Sequence, residues 1–443
     1  MVEKIKDFLA NRKIADLRKY LEELNPVDIA EFIADLEEDE LIIVYRLLSK
    51  DTAVEVFVEL ESELQEKLIN AFTDKEMQDV VNDLFMDDVV DLIEEMPAIV
   101  VKRILKHINK NDRKTINELL KYPEDSAGSI MTTEFVDLKE NMTVKEAFEK
   151  IRRVGVDKET IYRCYVLSTT RKLLGVLDVK ELFFVNEDTT IKEIMEKDYV
   201  KAETMDDKED VAKMFDKYNE IALPVVDKEN RLVGIVTIDD AIDVMEEEAE
   251  EDFEIMAAVT PSDDTYFKTS VFKHAFNRIP WLLLLMLSST LSGYIITKYE
   301  SVFAAVPILV SFLPMFMGTG GNCGSQTSTL IIRGLALDEI KTKDLFKAIW
   351  KEIRVAVLVG IILFIVNFLR VGIQYHDFQI ANIVAITIIL TVILSKMLGC
   401  ILPILAKKLK LDPAIMAAPI ITTLVDISST YVFFNIAAMI LKI

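Results

Sequence analysis

DPAIMAAPIITTLVDISSTYVFFNIAAMILK, Asp412 to Lys442, is apolar or weakly polar after its first residue for a full membrane thickness. About 20 residues at about 1.5 Å each cross a bilayer, so the stretch predicts a transmembrane helix. Its single charge before Lys442 is Asp426. A carboxylate near the bilayer centre costs about 2.5 to 3.5 kcal/mol, so it should face a partner, water or an ion rather than lipid. Thr422 and Thr423, a turn before it, and Ser429 and Thr430 after it are placed to line the same wet surface. The structural alternative is an Asp426 that is protonated, or paired with Lys396 on a neighbouring helix, and that only holds a bundle together.

Four more apolar runs precede it, about Ile279 to Ile296, Val302 to Ile332, Val355 to Leu369 and Ile380 to Leu405. The second exceeds a membrane thickness and contains MGTGGNCGSQ, Met317 to Gln326, which predicts a bent or broken helix there. Irregular backbone at depth is tolerated only where it is buried in protein or lines water. Asn322, Gln326 and the glycines Gly318, Gly320 and Gly321 are therefore a second candidate part of a path. Close helix packing through small residues accounts for the glycines equally well.

Basic residues orient the runs. Arg333, Lys341, Lys343, Lys347, Lys351 and Arg354 follow the second run, and Lys407, Lys408 and Lys410 follow the fourth, whereas the other two connections offer chiefly Lys298 and Arg370. By the positive-inside rule the N-terminal half is cytoplasmic, and an odd number of spans puts the C-terminus outside. The charged N-terminus, MVEKIKDFLANRKIADL, reads as a helix rather than an apolar signal segment, which also keeps the first half in the cytosol.

Charge divides the chain in two. From Lys268 onward 16 Lys and Arg stand against 8 Asp and Glu, while the first 267 residues carry 35 bases against 66 acids. So acidic a soluble half excludes nucleic acid and anionic surfaces as partners and favours cations. Cys164, Cys323 and Cys400 are scattered, as are the three histidines, so neither a zinc motif nor a disulfide framework is expected.

Two repeats fill the acidic half. Apolar residues recur every twelve positions at Leu24, Leu36, Leu48, Leu60, Phe72, Leu84, Met96, Ile108 and Leu120, each with an apolar partner four residues earlier. An i, i+4 pair shares one helix face. Asn25, Ser49, Thr73, Pro97 and Asn109 are start signals beside these positions. Helices of about ten residues, too short to stand alone, are expected to stack as a solenoid with carboxylates such as Asp87, Asp88 and Asp91 turned outward. Beyond it, Ile130 to Phe148 returns as Ile194 to Phe215, each copy a strand and helix followed by a two-strand unit, the second reading LPVVDKENRLVGIVTIDD. This paired pattern resembles tandem CBS domains, modules that pair with another copy and often bind adenosine nucleotides or ions. It contains no P-loop, nucleophile elbow or HExxH. An acid-rich helix, DDAIDVMEEEAEEDFEIMAAV from Asp239, then leads to the membrane runs. Its like charges at i, i+3 and i, i+4 repel, and a divalent cation would relieve them.

The whole order resembles the MgtE family of bacterial magnesium channels, most specifically at GTGGNCGSQ, LKLDPA and PIITTLVD. The resemblance implies a multidomain fold: an acidic α-helical solenoid over 1–126, an α/β CBS pair over 127–190 and 191–238, a connecting or plug helix over 239–267, and a five-helix transmembrane pore domain over 268–443. It implies a homodimer in the inner membrane that takes up Mg2+ and is not an enzyme. The pore ion-binding residues would be Asp426, Thr422, Asn322 and Gln326. Mg2+ sensors would be Asp87, Asp240, Asp243, Glu251 and Asp252, with Glu209 and Asp216 of the second CBS copy. Asp412 would meet the plug at the cytoplasmic mouth, and Tyr162, Lys180 and Glu181 would hold a regulatory ATP. Mg2+ gives up its waters reluctantly, so one carboxylate from each of two subunits suffices to hold it hydrated.

Three departures and two rival functions stand beside this expectation. Ser429 follows Asp426 at the place where the family pattern implies glycine, and Lys180–Glu181 stands for Arg-Asp. Lys396 puts a charge deep in the fourth run and is expected to turn away from the pore or to pair with a polar group. The rival functions are a proton-coupled divalent-cation carrier and a membrane-anchored Mg2+ or nucleotide sensor that does not conduct.

Overall fold

The computed structural model describes residues 2–262, 266–267, 269–416 and 418–442. The chain forms two compact units, Met1–Glu246 and Glu247–Ile443.

The first unit opens with ten short helices: α1 Val2–Ala10, α2 Ile14–Leu21, α3 Pro26–Ala34, α4 Glu38–Tyr45, α5 Lys50–Val58, α6 Ser62–Ala71, α7 Asp74–Val81, α8 Met86–Glu95, α9 Ala98–His107 and α10 Lys110–Leu119. From α3 on, every helix begins twelve residues after the last. The caps set this spacing. The side chains of Asn25, Ser49, Thr73 and Asn109 accept from backbone N–H groups of the first turn, and Thr73 with Glu76 completes a capping box. Helices two apart in sequence pack together, as α3 on α5, α5 on α7 and α7 on α9. Val44, Val56, Leu68, Ile104 and Ile116, the earlier members of the apolar pairs, are fully buried along this stack. One acid departs from the expected outward face: Asp87 is only 8% exposed.

Two three-stranded sheets follow. β1 Val136–Lys139 runs parallel to β2 Arg163–Leu167, which pairs antiparallel with β3 Leu173–Asp178; β4 Ala202–Glu203, β5 Ala222–Val226 and β6 Leu232–Thr237 repeat the arrangement. Helices α11 Val144–Val154, α12 Val179–Leu182, α13 Ile191–Ile194 and α14 Lys208–Tyr218 accompany them. The lead-in of each repeat pairs with the last strand of the other, Thr132 with Ile235 and Glu196 with Val176. Gly175 and Gly234 make room for this exchange, because a Cβ there would lie 2.5 Å from the Glu196 carbonyl or 2.6 Å from that of Thr132.

Helix α15, Ile238–Met256, ends sooner than the 239–267 segment expected from sequence. Ala258 turns to φ 56° and the Val259 N–H reaches back to the Glu254 carbonyl at 2.9 Å, closing the helix before Pro261. Residues 263–265 of that segment lie outside the described residues.

The second unit holds α16 Val271–Lys298, α17 Glu300–Ala305, α18 Leu313–Ala336, α19 Leu345–Tyr375, α20 Phe378–Lys408 and α21 Ala418–Leu441. Among the described residues, four helical segments are long and apolar enough to cross a membrane, containing α16, α19, α20 and α21. The 24-residue α18 is the other long helix, and its glycines, threonines, Asn322 and Gln326 dilute its hydropathy. The predicted break in this region is elsewhere. MGTGGNCGSQ is continuous helix within α18, and the chain breaks at Val306 and Pro307, where a 3-10 turn spans Pro307–Phe312. Proline at the head of that turn has no N–H to continue α17.

The α18 glycines serve helix packing. A Cβ on Gly320 would lie 2.6 Å from Val425, one on Gly324 2.5 Å from Ile421, and one on Gly399 2.3 Å from the Gly324 carbonyl. These contacts run α21 antiparallel to α18 and lay α20 against it at backbone distance.

Candidate functional site

Asp426 lies in the interior of α21, half-buried, and its carboxylate has no hydrogen-bond or ion-pair partner among the described residues. Lys396 does not neutralise it. The Lys396 ammonium lies 3.0 Å from Thr327 Oγ1 and 3.4 Å from Glu352 Oε2, and the Thr327 hydroxyl donates to that same oxygen at 2.9 Å. The side chains of Lys396 and Glu352 are 8% and 12% exposed. The lysine thus pairs within α18, α19 and α20, as the sequence required of a cation turned from the path.

Thr422 sits beside Gly321, whose Cβ position is 3.0 Å from Thr422 Cγ2. Its hydroxyl donates to the Pro419 carbonyl at 3.0 Å, so its oxygen keeps both lone pairs for accepting. Asp426 is one turn further along the same helix, beside the stretch of α18 that begins at Gly318. Among the described residues nothing stands within 4 Å of a Cβ built on Gly318, and Asn322 and Gln326 are exposed on that side of α18. A polar, open helix face in a membrane-spanning unit must be covered by water or by protein. Ser429 and Thr430 do not join it. Both are fully buried, and Ser429 donates to the Asp426 carbonyl at 3.2 Å. Asp412 accepts from the Ala414 N–H at 2.7 Å and caps the turn Pro413–Met416 that precedes α21.

A second concentration of carboxylates lies in the first unit. Asp87 and Asp88 open α8, Asp239 and Asp240 open α15, and Glu159 and Glu134 come from the first CBS repeat, where the Glu159 N–H bonds the Glu134 carbonyl at 3.0 Å. These acids feel one another. Burial, and then Asp240, Asp88 and Glu159, hold the Asp87 carboxyl well above the ordinary carboxylate range. Burial and then Asp240 push Asp88 up to about 6, and burial and then Asp239 and Asp240 push Glu159 up to about 8. Asp240 is raised to about 6 by burial, against the Thr237 hydroxyl that donates to it at 2.6 Å. Glu159 and Glu134 carry no local pattern that marks them, since they reach Asp88 only through the tertiary fold.

The remaining candidates are dispersed. Asp243, Glu251 and Asp252 continue along α15, with Asp243 and Glu251 exposed. Glu209 pairs with Lys213 inside α14, and Asp216 is exposed further along that helix. Among the described residues no three carboxylate, histidine or cysteine groups are close enough to enclose a bare metal ion. Tyr162, Lys180 and Glu181 are brought together, because the Val179 N–H bonds the Tyr162 carbonyl at 2.9 Å where β2 meets α12. Lys180 lies 3.3 Å from Asp178, and the Tyr162 ring is exposed.

Known protein families match successive segments of the chain. A family model described as a divalent cation transporter matches residues 313–436, one described as the MgtE intracellular N domain matches 24–125, and the CBS domain model matches 127–188 and 191–247. The chain is similar to the magnesium transporter MgtE of Thermus thermophilus, 35% identical over 96% of this chain and 95% of that one. It is 34% identical to the magnesium transporter MgtE of Bacillus subtilis, over 97% and 95% of the two chains. A solved cytosolic domain of the Mg2+ channel MgtE in complex with ATP covers 55% of this chain and all of its own length, with 34% identity and a TM-score of 0.53.

Proposed function

The chain belongs to the MgtE family of magnesium transporters, and on that footing we propose that it is a Mg2+ channel whose conduction depends on Asp426 and is closed by cytosolic Mg2+. The carrying observation is that Asp426 is a membrane carboxylate without a countercharge among the described residues, since Lys396 is occupied by Glu352. A cation passing along α21 supplies that countercharge. Mg2+ keeps most of its waters, so a carboxylate aided by hydroxyl and amide oxygens is sufficient, and Thr422, Asn322 and Gln326 have those oxygens on the adjoining open face. A second copy of the chain, contributing its own Asp426, would complete the path as a homodimer.

The protein is an integral membrane protein, and its C-terminus would lie outside. Regulation would use the acidic cluster. Carboxylates that raise one another's pKa repel when ionised, and hydrated Mg2+ between them removes the repulsion, so rising cytosolic Mg2+ stabilises the arrangement around Asp87 and Asp240. Helix α15, with Asp243, Glu251 and Asp252 beyond Asp240, leads on from that cluster and would carry the change to the pore. Glu209, Asp216 and Asp412 would act as further metal-facing acids. ATP would bind at Tyr162, Lys180 and Glu181 as a regulator.

Purified protein in liposomes tests the proposal. The expected result is Mg2+ entry that grows with an imposed inside-negative potential and ignores a pH gradient. Uptake that follows the pH gradient would make the protein a proton-coupled carrier, and no uptake at any potential would leave only a sensor.

A further inference from the structure

We propose that Glu352, Thr327 and Lys396 form a charged latch that fixes the rotation of α18 and so holds Asn322 and Gln326 toward the transported ion; this rests on the ion path described above. The three residues come from three different helices, α19, α18 and α20, and close a ring of hydrogen bonds. Lys396 donates to Thr327 at 3.0 Å, Thr327 donates to Glu352 at 2.9 Å, and Lys396 lies 3.4 Å from the same Glu352 oxygen. Thr327 is fully buried and follows Gln326 directly. At about 100° per residue, Asn322 lies about 140° around α18 from Thr327, so a ring that grips Thr327 orients Asn322 to the far side.

Two observations say that orientation is what the ring provides. Two of its members are charged and largely shielded from solvent, at 8% and 12% exposure, whereas a hydrophobic trio of the same size would pack the site without desolvating two ions. The adjoining contact between α18 and α20 also has no directional grip of its own. Next to the ring, Gly399 and Gly324 meet through bare backbone, with a Cβ at Gly399 only 2.3 Å from the Gly324 carbonyl. Glycine surfaces allow close approach but leave a helix free to rotate or slide. The hydroxyl of Ser328, next to Thr327, bonds the Met416 carbonyl at 2.8 Å and adds a second directional tie on the same buried side.

The double variant E352M/K396M removes both charges together, so neither is left buried alone. The latch predicts a full-length protein that purifies with an unchanged or raised melting temperature, yet needs at least severalfold more Mg2+ for half-maximal uptake in liposomes. T327S keeps the hydroxyl and should retain the parental half-saturation, whereas T327V, of nearly the same shape, should shift it as the double variant does. Parental half-saturation in both E352M/K396M and T327V overturns the latch. If N322A and Q326A also leave uptake unchanged, the failure lies instead with the ion path on which the latch rests. If E352M/K396M does not fold, the comparison of T327S with T327V decides alone, and equal uptake by the two rejects the latch.

Discussion

Lys396 is held 3.4 Å from Glu352, and that pairing takes up the one cation that the sequence offered as a partner for Asp426. A membrane carboxylate left in this way raises the cost of the empty protein and lowers it when a cation arrives.

Asp426→Asn should therefore keep the fold and lose transport. The amide has nearly the same size and no charge, so the melting temperature of the purified protein should hold or rise. Mg2+ uptake by liposomes should fall at least about tenfold, the equivalent of about 1.4 kcal/mol of ion binding. Asp426→Glu, with the charge displaced by one methylene, should retain part of the activity. Parental uptake by the Asn variant would remove Asp426 from the conduction path.

The acidic cluster predicts an inverted pH response. Ordinary Asp and Glu titrate near about 4, whereas Asp88 and Asp240 are pushed to about 6 and Glu159 to about 8. Between these limits the folded state binds more protons than the unfolded one, so its stability falls as pH rises through the window from about 4 to about 8. Without Mg2+, the soluble half of the full chain should resist limited proteolysis better at pH 5 than at pH 8. Millimolar Mg2+ should protect strongly at pH 8, where the acids are ionised, and little at pH 5. Protection that does not change with pH would mean that these carboxylates do not govern the response.

Gating can be separated from conduction on α15. Asp240 belongs to the cluster, and Asp243, Glu251 and Asp252 follow it along the helix. Replacing all four with their amides should shift inhibition by cytosolic Mg2+ to at least severalfold higher concentration in patch recordings, with the open-channel current intact. Each replacement also removes like-charge repulsion of a few tenths of a kcal/mol within the helix, so the variant should not lose stability on that account. Unchanged inhibition would place the sensor elsewhere.

What was legible in the sequence was whatever depends on local period and local chemistry. The twelve-residue spacing gave the helix starts because each cap residue acts within its own turn, as Thr73 does with Glu76. The lone charge in PIITTLVD marked Asp426 because membrane burial penalises a carboxylate whatever its neighbours. Properties set by distant partners were not legible. Gly318, Gly320 and Gly321 suggested a broken helix, yet Gly320 and Gly321 are packed against neighbouring helices that hold the segment helical, and the break fell at Pro307 instead. Asp87 read as a solvated acid because nothing nearby in sequence announces that the fold buries it. Ser429 and Thr430 shared a turn with Asp426 on paper, but the wide contact of α21 with its neighbours enclosed both.

Two glycines should answer the same substitution in opposite ways. At Gly399 an added methyl would lie 2.3 Å from the Gly324 carbonyl and 3.1 Å from Thr327 Cβ, both fixed in a helix, so α18 and α20 must separate. Overpacking of this kind costs about 1 to 3 kcal/mol, more than the helix propensity that alanine returns. At Gly318 nothing lies within 4 Å, and alanine gains up to about 1 kcal/mol by restricting the unfolded chain and favouring the helix. Thermal melts of the purified full-length variants should therefore place Gly399→Ala below the parent and Gly318→Ala at or above it. A Gly399→Ala protein that melts with the parent would show that α18 and α20 can part at no cost, and the close backbone crossing would lose its role in holding the two helices together.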